Sequence, residues 1–166
     1  MTNEIDIDET DRKILMMLQD DGRLDYGDIA KSVGISQSIV QDRIRKMEEQ
    51  GVIEKFTVIL NPKKVGKRIT AFIGLDIHPK EIKKIAGDVA RFDEVSEVYL
   101  TTGDYDITVK VITDSMSTLN DFIIRKLSPL EGLRNISTYL VLDTYKTQYS
   151  ICLNTALKQS QKTSRE

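Results

Sequence analysis

The side chains able to do covalent chemistry are few and scattered. There is one histidine, His78, beside Pro79, and one cysteine, Cys152. A lone imidazole cannot build a multi-histidine metal site, and with the thiol far away in sequence it makes a poor nucleophile pair. Asp104 and Asp106 lie close together, but turn chemistry accounts for both, and a paired-acid catalyst is the remoter reading. No glycine-rich phosphate loop occurs. The residues offer no catalytic constellation, no metal set and no cofactor motif, and the chain reads as a non-enzyme.

The chemistry that the sequence does concentrate is non-covalent. Between Ser36 and Gln50 a run of polar, flexible side chains follows a glycine: Ser36, Gln37, Ser38, Gln41, Arg43, Arg45 and Lys46. Hydroxyl, amide and guanidinium groups are what base edges and phosphates accept. Ser36, Gln37 and Ser38 stand at a helix start, where unpaired amides suit phosphate. Gln41 has the amide that reads adenine. Arg45 and Lys46 suit phosphate or guanine. Arg43 has a competing reading, an ion pair with an acid such as Glu48 or Asp11 inside its own domain. For the whole stretch the plain alternative is a solvated face on an ordinary amphipathic helix.

The elements that would position these groups follow from periodicity. A first helix is predicted over Asp8–Asp20, with Asp8 or Thr10 at its N-cap and Ile14, Leu15 and Leu18 as its apolar stripe. A second runs from about Asp25 to Val33, with Tyr26, Ile29, Ala30 and Val33 on one face and Leu24 stapling its entry. Gly34 tolerates the left-handed backbone that redirects the chain. Ser36 then caps a third helix, which buries Val40, Ile44 and Met47 and ends at Gly51. Two helices at a tight turn, the second polar on its outer side, suit insertion into the major groove of double-stranded DNA. Three helices of this size form a core that is marginal alone.

Charge does not announce this partner. The formal net charge is −2. Residues 1–60 hold 8 Lys and Arg against 13 Asp and Glu, and residues 61–166 hold 16 against 13. The half assigned to DNA is the acidic one, against a simple electrostatic footprint. Distribution modifies this: many acids lie in Glu4–Asp11 and Asp20–Asp28, while Arg43, Arg45 and Lys46 cluster and Lys63, Lys64, Lys67 and Arg68 follow. Few phosphate contacts per subunit are expected, so useful affinity requires a dimer or larger assembly.

No apolar run approaches the roughly 20 residues of a membrane span. The opening MTNEIDIDETD is acidic and lacks an apolar signal core, and a lone cysteine fits a reducing compartment. A cytoplasmic location is expected, with no membrane partner. Forty percent apolar with 30% charged residues is ordinary globular composition, enough for folded domains.

Beyond the helices, Glu54–Leu60 is predicted as a strand, Asn61-Pro62 breaks it, and Lys63–Arg68 forms a basic hinge around Gly66. A buried strand follows at Ile69–Ile77. Ile82, Ile85, Ala86, Val89 and Phe92 recur at helical spacing after Pro79. Val95–Thr102 and Tyr105–Thr113 read as strands joined by a tight Gly103-Asp104 hairpin turn. Ser115 caps a helix carrying Leu119, Phe122, Ile123 and Leu127, ended by Pro129 and Gly132. Leu133–Tyr145 reads as a long strand, Thr147–Leu153 as one more, and the polar tail 154–166 as disordered. The β-α-β-β-α-β order is that of a ferredoxin-like sheet with both helices on one face, making the chain α+β. Apolar residues occur at both parities of Ile69–Ile77 and Val95–Leu100, so the open face is expected to be covered by a second copy. The division is therefore helix-turn-helix domain 1–53, strand and hinge 54–67, ferredoxin-like domain 68–153 and tail 154–166.

The string VGISQSIVQDRIRKMEEQGVIEKF resembles the helix-turn-helix of the Lrp/AsnC family of transcription regulators. The matching positions are Ile35-Ser36, Val40, Arg43-Ile44, Met47-Glu48 and Gly51-Val52-Ile53. DETDRKILMMLQDDGR resembles the family's opening helix and loop, residues 53–66 its linker, and the βαββαβ order its effector-binding domain. The likeness spans about Ile5 to Leu153. It implies a sequence-specific regulator of amino-acid metabolism, forming homodimers and then tetramers or octamers, controlled by an amino acid or similar metabolite bound between subunits. In such regulators a Gly-x-Tyr/Phe-Asp hairpin lines that pocket, matched here by Gly103, Tyr105 and Asp106. By itself Thr101-Thr102-Gly103-Asp104-Tyr105-Asp106 is a hairpin tip. The chemistry of a pocket is compatible with it, because glycine-turn amides can donate to a carboxylate and Asp104 or Asp106 can hold an α-ammonium. Ser137 and Thr138 of a neighbouring subunit's last strand are further candidates to complete it. Two other functions stay open at this point. One is an architectural, weakly specific DNA-binding protein without an effector; the other is a small-molecule-binding or enzymatic domain whose helical half serves protein contacts.

Overall fold

A computed structural model describes residues 7–153. The chain divides into two compact units, residues 7–58 together with 147–153, and residues 59–146. The polypeptide therefore passes out of the first unit and later returns to it.

In the first unit each helix begins at a side-chain cap. Helix α1 (Glu9–Asp20) starts at a reciprocal capping box. The Asp8 carboxylate accepts from the Asp11 amide at 2.8 Å, and the Asp11 carboxylate from the Asp8 amide at 3.2 Å. Helix α2 (Tyr26–Val33) is capped by Asp25, which accepts from the Gly27 amide at 2.7 Å. Gly34, at φ 76°, turns the chain into helix α3 (Gln37–Glu49), capped by Ser36. The caps satisfy amides with no intrahelical partner, so they set where each helix begins. Ile14, Leu15, Ile29, Ala30, Val40, Ile44 and Met47 form the core, flanked by Leu24, Val33, Ile35, Val52 and Ile53. Burying each large side chain contributes roughly 1.5–3 kcal/mol, which holds three short helices together only when all three faces meet.

Leu153 packs against this same core, and the Gln19 amide clasps the backbone of Ile151. Its Nε2 donates to the Ile151 carbonyl at 3.1 Å and its Oε1 accepts from the Ile151 amide at 2.5 Å. Residues 147–153, expected as a strand of the ferredoxin-like domain, thus belong with the helices instead, and no strand forms there. Residues 54–60 also lack a ladder partner, although their alternation suits a strand, and their apolar side chains Phe56, Val58 and Leu60 are exposed. A strand needs a neighbour for its amides and carbonyls, and residues 54–60 have none among the described residues. The polar tail lies outside the described residues.

The second unit opens with a 3-10 turn at Pro62–Val65, capped by Asn61. Four antiparallel strands follow: β1 (Ile69–Ile77), β2 (Val95–Leu100), β3 (Ile107–Thr113) and β4 (Leu133–Leu140), in the order β2-β3-β1-β4. Two helical elements, α4 (Ile82–Val89) and α5 (Met116–Asp121), fill the crossovers. This is the ferredoxin-like arrangement expected from element order. Ala71, Ile73, Leu75 and Ile77 of β1 and Ile107, Val109 and Val111 of β3 face the helices, meeting Ile85, Val89, Leu119, Phe122 and Leu127. The alternate residues make the open face, where Phe72 of β1 pairs directly with Tyr139 of β4 and both are exposed.

Three boundaries differ from expectation. The hairpin between β2 and β3 spans six residues, 101–106, rather than two. Strand β4 stops at Leu140, because beyond it only Val141 still donates to the sheet, at 2.9 Å to Thr70. Helix α5 continues directly as a π-helical turn, Phe122–Leu127, in which the Ser128 amide reaches the Ile123 carbonyl at 2.8 Å.

Candidate nucleic-acid interface and small-molecule site

Helix α3 sorts its residues by side. Val40, Ile44 and Met47 are buried, while Gln37, Ser38, Gln41, Arg45 and Lys46 are exposed. Ser36 is committed to its capping role: its hydroxyl accepts from the Ile39 amide at 3.4 Å and lies 3.0 Å from the Ser38 hydroxyl. Gln37, Ser38 and Gln41 thus present amide and hydroxyl groups over the first turns, and Arg45 and Lys46 present cations further along. These are the donors and acceptors that groove reading requires.

Arg43 is not with them. Its guanidinium donates to Asp8 at 2.6 Å and to Asp11 at 2.8 Å, the two residues of the α1 capping box. Asp8 is held below the usual carboxylate range by the Asp11 amide first and by Arg43 second. The alternative reading of Arg43, a partner for Asp11 within its own domain, is the observed one. Arg43 ties α3 to the start of α1, and its charge is largely spent there.

Two features of α3 were not singled out from sequence. Ile39 is 45% exposed, an apolar side chain at the outer rim of the helix. Asp42 lies on the outer side, its carboxylate accepting from Arg45 Nη2 at 2.9 Å. Both could have been found by laying the buried residues on a helical wheel and asking what stands opposite.

In the second unit, the six-residue connection 101–106 is closed by its own ends. The Thr101 amide donates to the Asp106 carbonyl at 3.0 Å and the Thr101 hydroxyl donates to the Tyr105 carbonyl at 2.8 Å. Asp106 turns instead toward β1: its amide donates to the Leu75 carbonyl at 3.0 Å, and its carboxylate accepts from the Ile77 amide at 2.8 Å. A bulge at Asp76/Ile77 interrupts the β1–β4 register at that point. Asp106 is therefore a strut of the hairpin, whereas Thr102, Gly103 and Asp104 remain exposed at the tip.

Tyr105 folds back over the open face of the sheet and lies on Gly74. A Cβ at position 74 would come within 2.5 Å of the Tyr105 ring. The Tyr105 and Tyr139 hydroxyls are 2.9 Å apart, with the rings edge to face at 6.2 Å. Ser137, opposite Gly74 in the β1–β4 register, first and Tyr139 second hold the Tyr105 phenol below its usual value, and Tyr139 is raised by the same pairing with Tyr105. Ser137 thus lies beside Tyr105 within the same subunit, whereas it was expected to come from a neighbouring one. Thr138 does not, because it is paired with Ile73 and shares that residue's helix-covered side of the sheet. Gly74 and Tyr139 were missed from sequence, although an isolated glycine in a buried strand is itself a signal of close approach.

Among the described residues, no group of three or more His, Cys, Asp or Glu side chains could hold a metal ion, and no helix is long and apolar enough to cross a membrane.

Comparison with known proteins agrees with both halves. Residues 7–54 match a winged helix-turn-helix DNA-binding domain and residues 70–151 an Lrp/AsnC ligand binding domain. The HTH-type transcriptional regulator FL11 of Pyrococcus horikoshii is 38% identical over 142 residues, covering 86% of this chain and 93% of that protein. The structure of E. coli AsnC superposes with a TM-score of 0.82 at 30% identity, covering 87% of this chain and 97% of that one. A transcriptional regulator from Neisseria meningitidis, solved in complex with L-Met, gives 0.84 at 28% identity, covering 90% and 98%.

Proposed function

Because the chain belongs to the Lrp/AsnC family of transcription regulators, we propose that it binds specific double-stranded DNA sites as a homo-oligomer and is controlled by an amino acid or similar small metabolite bound between subunits. A DNA-binding regulator with a ligand-binding domain, not an enzyme, is the footing; the specific sites, the effector, its place between subunits and the amino-acid metabolism it would govern are the proposal. The observation that carries it is the exposed polar face of α3, with Gln37, Ser38, Gln41, Arg45 and Lys46 set on a helix whose other face is buried.

The open face of the sheet supports assembly. Phe72 and Tyr139 are large, exposed and directly paired, and Tyr99 of β2 is exposed on the same face, a surface that a second copy would cover. A homodimer aligns two α3 helices on successive turns of DNA, and tetramers or octamers would add more. Assembly also answers the acidic charge of the helical half, since few phosphate contacts per subunit must be summed. The effector would seat at the tip of the 101–106 hairpin, where Thr102, Gly103 and Asp104 are open, and a neighbouring subunit would complete the pocket. That a structural neighbour was solved with L-Met supports an amino acid as the class of ligand. A cytoplasmic location is part of this proposal, supported by the DNA-binding family.

The test is an anisotropy titration on the DNA upstream of the protein's own gene, with and without a pool of the twenty amino acids. Saturable binding that resists competitor DNA, weakens in Arg45→Ala or Gln41→Ala and shifts with one amino acid is the expected result. Binding abolished by competitor and unaltered by any amino acid would make the protein an architectural DNA binder instead.

A further inference from the structure

The outer face of α3 is not a cationic surface. Opposite the buried Val40, Ile44 and Met47 stand Ser38, Asp42, Arg45 and Glu49, recurring at spacings of four, three and four. At its centre the Asp42 carboxylate accepts from Arg45 Nη2 at 2.9 Å, and Glu49 lies 4.0 Å from Arg45 Nε. The Asp42 and Arg45 side chains are 67% and 68% exposed. An ion pair this exposed contributes little to folding, so stability does not account for it.

For affinity alone the arrangement is costly. A carboxylate facing a groove lined by phosphates repels them and forfeits counterion release. What it offers in exchange is discrimination. An ionised carboxylate only accepts hydrogen bonds, and the base edge that presents a donor with no acceptor beside it on the same base is cytosine, through its N4 amine. Guanine, its partner, presents two acceptors, O6 and N7, which suit a guanidinium. Asp42 and Arg45, bound to each other one helical turn apart, are thus an acceptor and a donor set side by side in the order that a C·G pair complements.

We propose that Asp42 is a specificity-determining residue of α3, accepting from a cytosine N4 amine while it holds Arg45 toward the paired guanine. This rests on the reading of α3 as the helix that enters the major groove. It gives the acid at the centre of that face a function, where the acids Asp8, Glu9, Asp11, Asp20, Asp21, Asp25 and Asp28 belong to α1, α2 and their caps.

The experiment selects binding sites from a randomised duplex pool with the full-length wild-type protein, Asp42→Asn and Asp42→Ala, after checking that melting temperature and oligomeric state are unchanged. The wild type should select a C·G pair at one position per half-site and prefer it by about tenfold over other pairs. Asp42→Asn should move that position toward A·T, because a carboxamide pairs with adenine N6 and N7, and Asp42→Ala should leave it degenerate. Both variants should bind random duplex more tightly than the wild type, with a salt dependence steeper by up to about one per subunit. The same selected site with the same preference in all three proteins overturns the assignment alone. A folded wild-type oligomer that captures no duplex at low salt overturns the groove-binding reading and the assignment with it.

Discussion

The carboxylate of Asp106 stands in for a strand. It accepts from the Ile77 amide at 2.8 Å, at the bulge where β1 has left its β4 register, while the Asp106 amide donates back to Leu75. One residue of the hairpin thereby holds the end of β1 from both directions. Asp106→Ala should leave the Ile77 amide without its acceptor and cost about 1–3 kcal/mol. Asp106→Asn retains an acceptor oxygen and should lose less than half of that. Urea unfolding of the three proteins measures both, and equal losses would show that the carboxylate is not the strut.

Tyr105 depends on the absence of a side chain beneath it. Gly74→Ala places a Cβ within 2.5 Å of the ring, so the ring must lift away from the sheet, breaking its contact with the Tyr139 hydroxyl. A destabilisation of about 1–3 kcal/mol is expected. Tyr105→Ala combined with Gly74→Ala should recover most of it, since the obstructing ring is gone. A double-mutant cycle on thermal unfolding reads the coupling.

Arg43 should behave as a structural residue although it sits on α3, the helix proposed to enter the major groove. Arg43→Ala removes the partner of both Asp8 and Asp11, and with the guanidinium about one-third exposed the cost is about 1 kcal/mol. At protein concentrations and temperatures where the variant remains folded, its affinity for DNA should match the wild type. Arg45→Ala should show the converse, little change in melting and weakened binding. A calorimetric scan paired with a DNA titration separates the two.

Acid should loosen both units. Hydrogen bonds from the Asp11 amide and from Arg43 hold Asp8 below the usual carboxylate range. Burial pushes Glu94 and Glu97 upward, but Lys126 on Glu94, and Lys110 with Tyr99 on Glu97, more than reverse it, leaving both lowered. A carboxyl whose folded value is depressed stabilises fully above its unfolded value and loses that contribution as pH falls through the folded one. Stability should therefore be flat near neutrality and decline from roughly pH 4 downward. Circular dichroism across that range checks it. In Glu94→Gln the decline should be shallower, because one of the titrating groups is gone.

What could be read from sequence was local. The caps at Asp8 and Ser36 and the apolar faces of α1–α3 follow from spacings within a few residues, as do the strands β1 and β3. What could not be read depends on partners distant in the chain. Arg43 chooses between Asp11 and Glu48 by packing, and nothing in its neighbourhood decides it. The Gly103-Asp104 pair suggested a two-residue turn, yet Tyr105 and Asp106 are drawn away by Gly74 and Ile77, on a strand that no turn rule consults. Residues 147–153 alternate like a strand, but Leu153 finds its apolar contacts among the helices. At the candidate site, Ser137 and Thr138 were adjacent candidates, and only register places them on opposite sides of the sheet.

The clasp of Gln19 on Ile151 also sets an order of events at birth. The helices of the first unit are synthesised early, but Ile151, which Gln19 clasps, is made 132 residues after it. At ordinary translation rates that is a delay of roughly ten seconds, during which the ferredoxin-like unit is made and can fold. The helical unit is thus begun first and gains its last contact late, so a ribosome that stops short of Leu153 releases a regulator whose helices lack one flanking apolar contact and the Gln19 clasp.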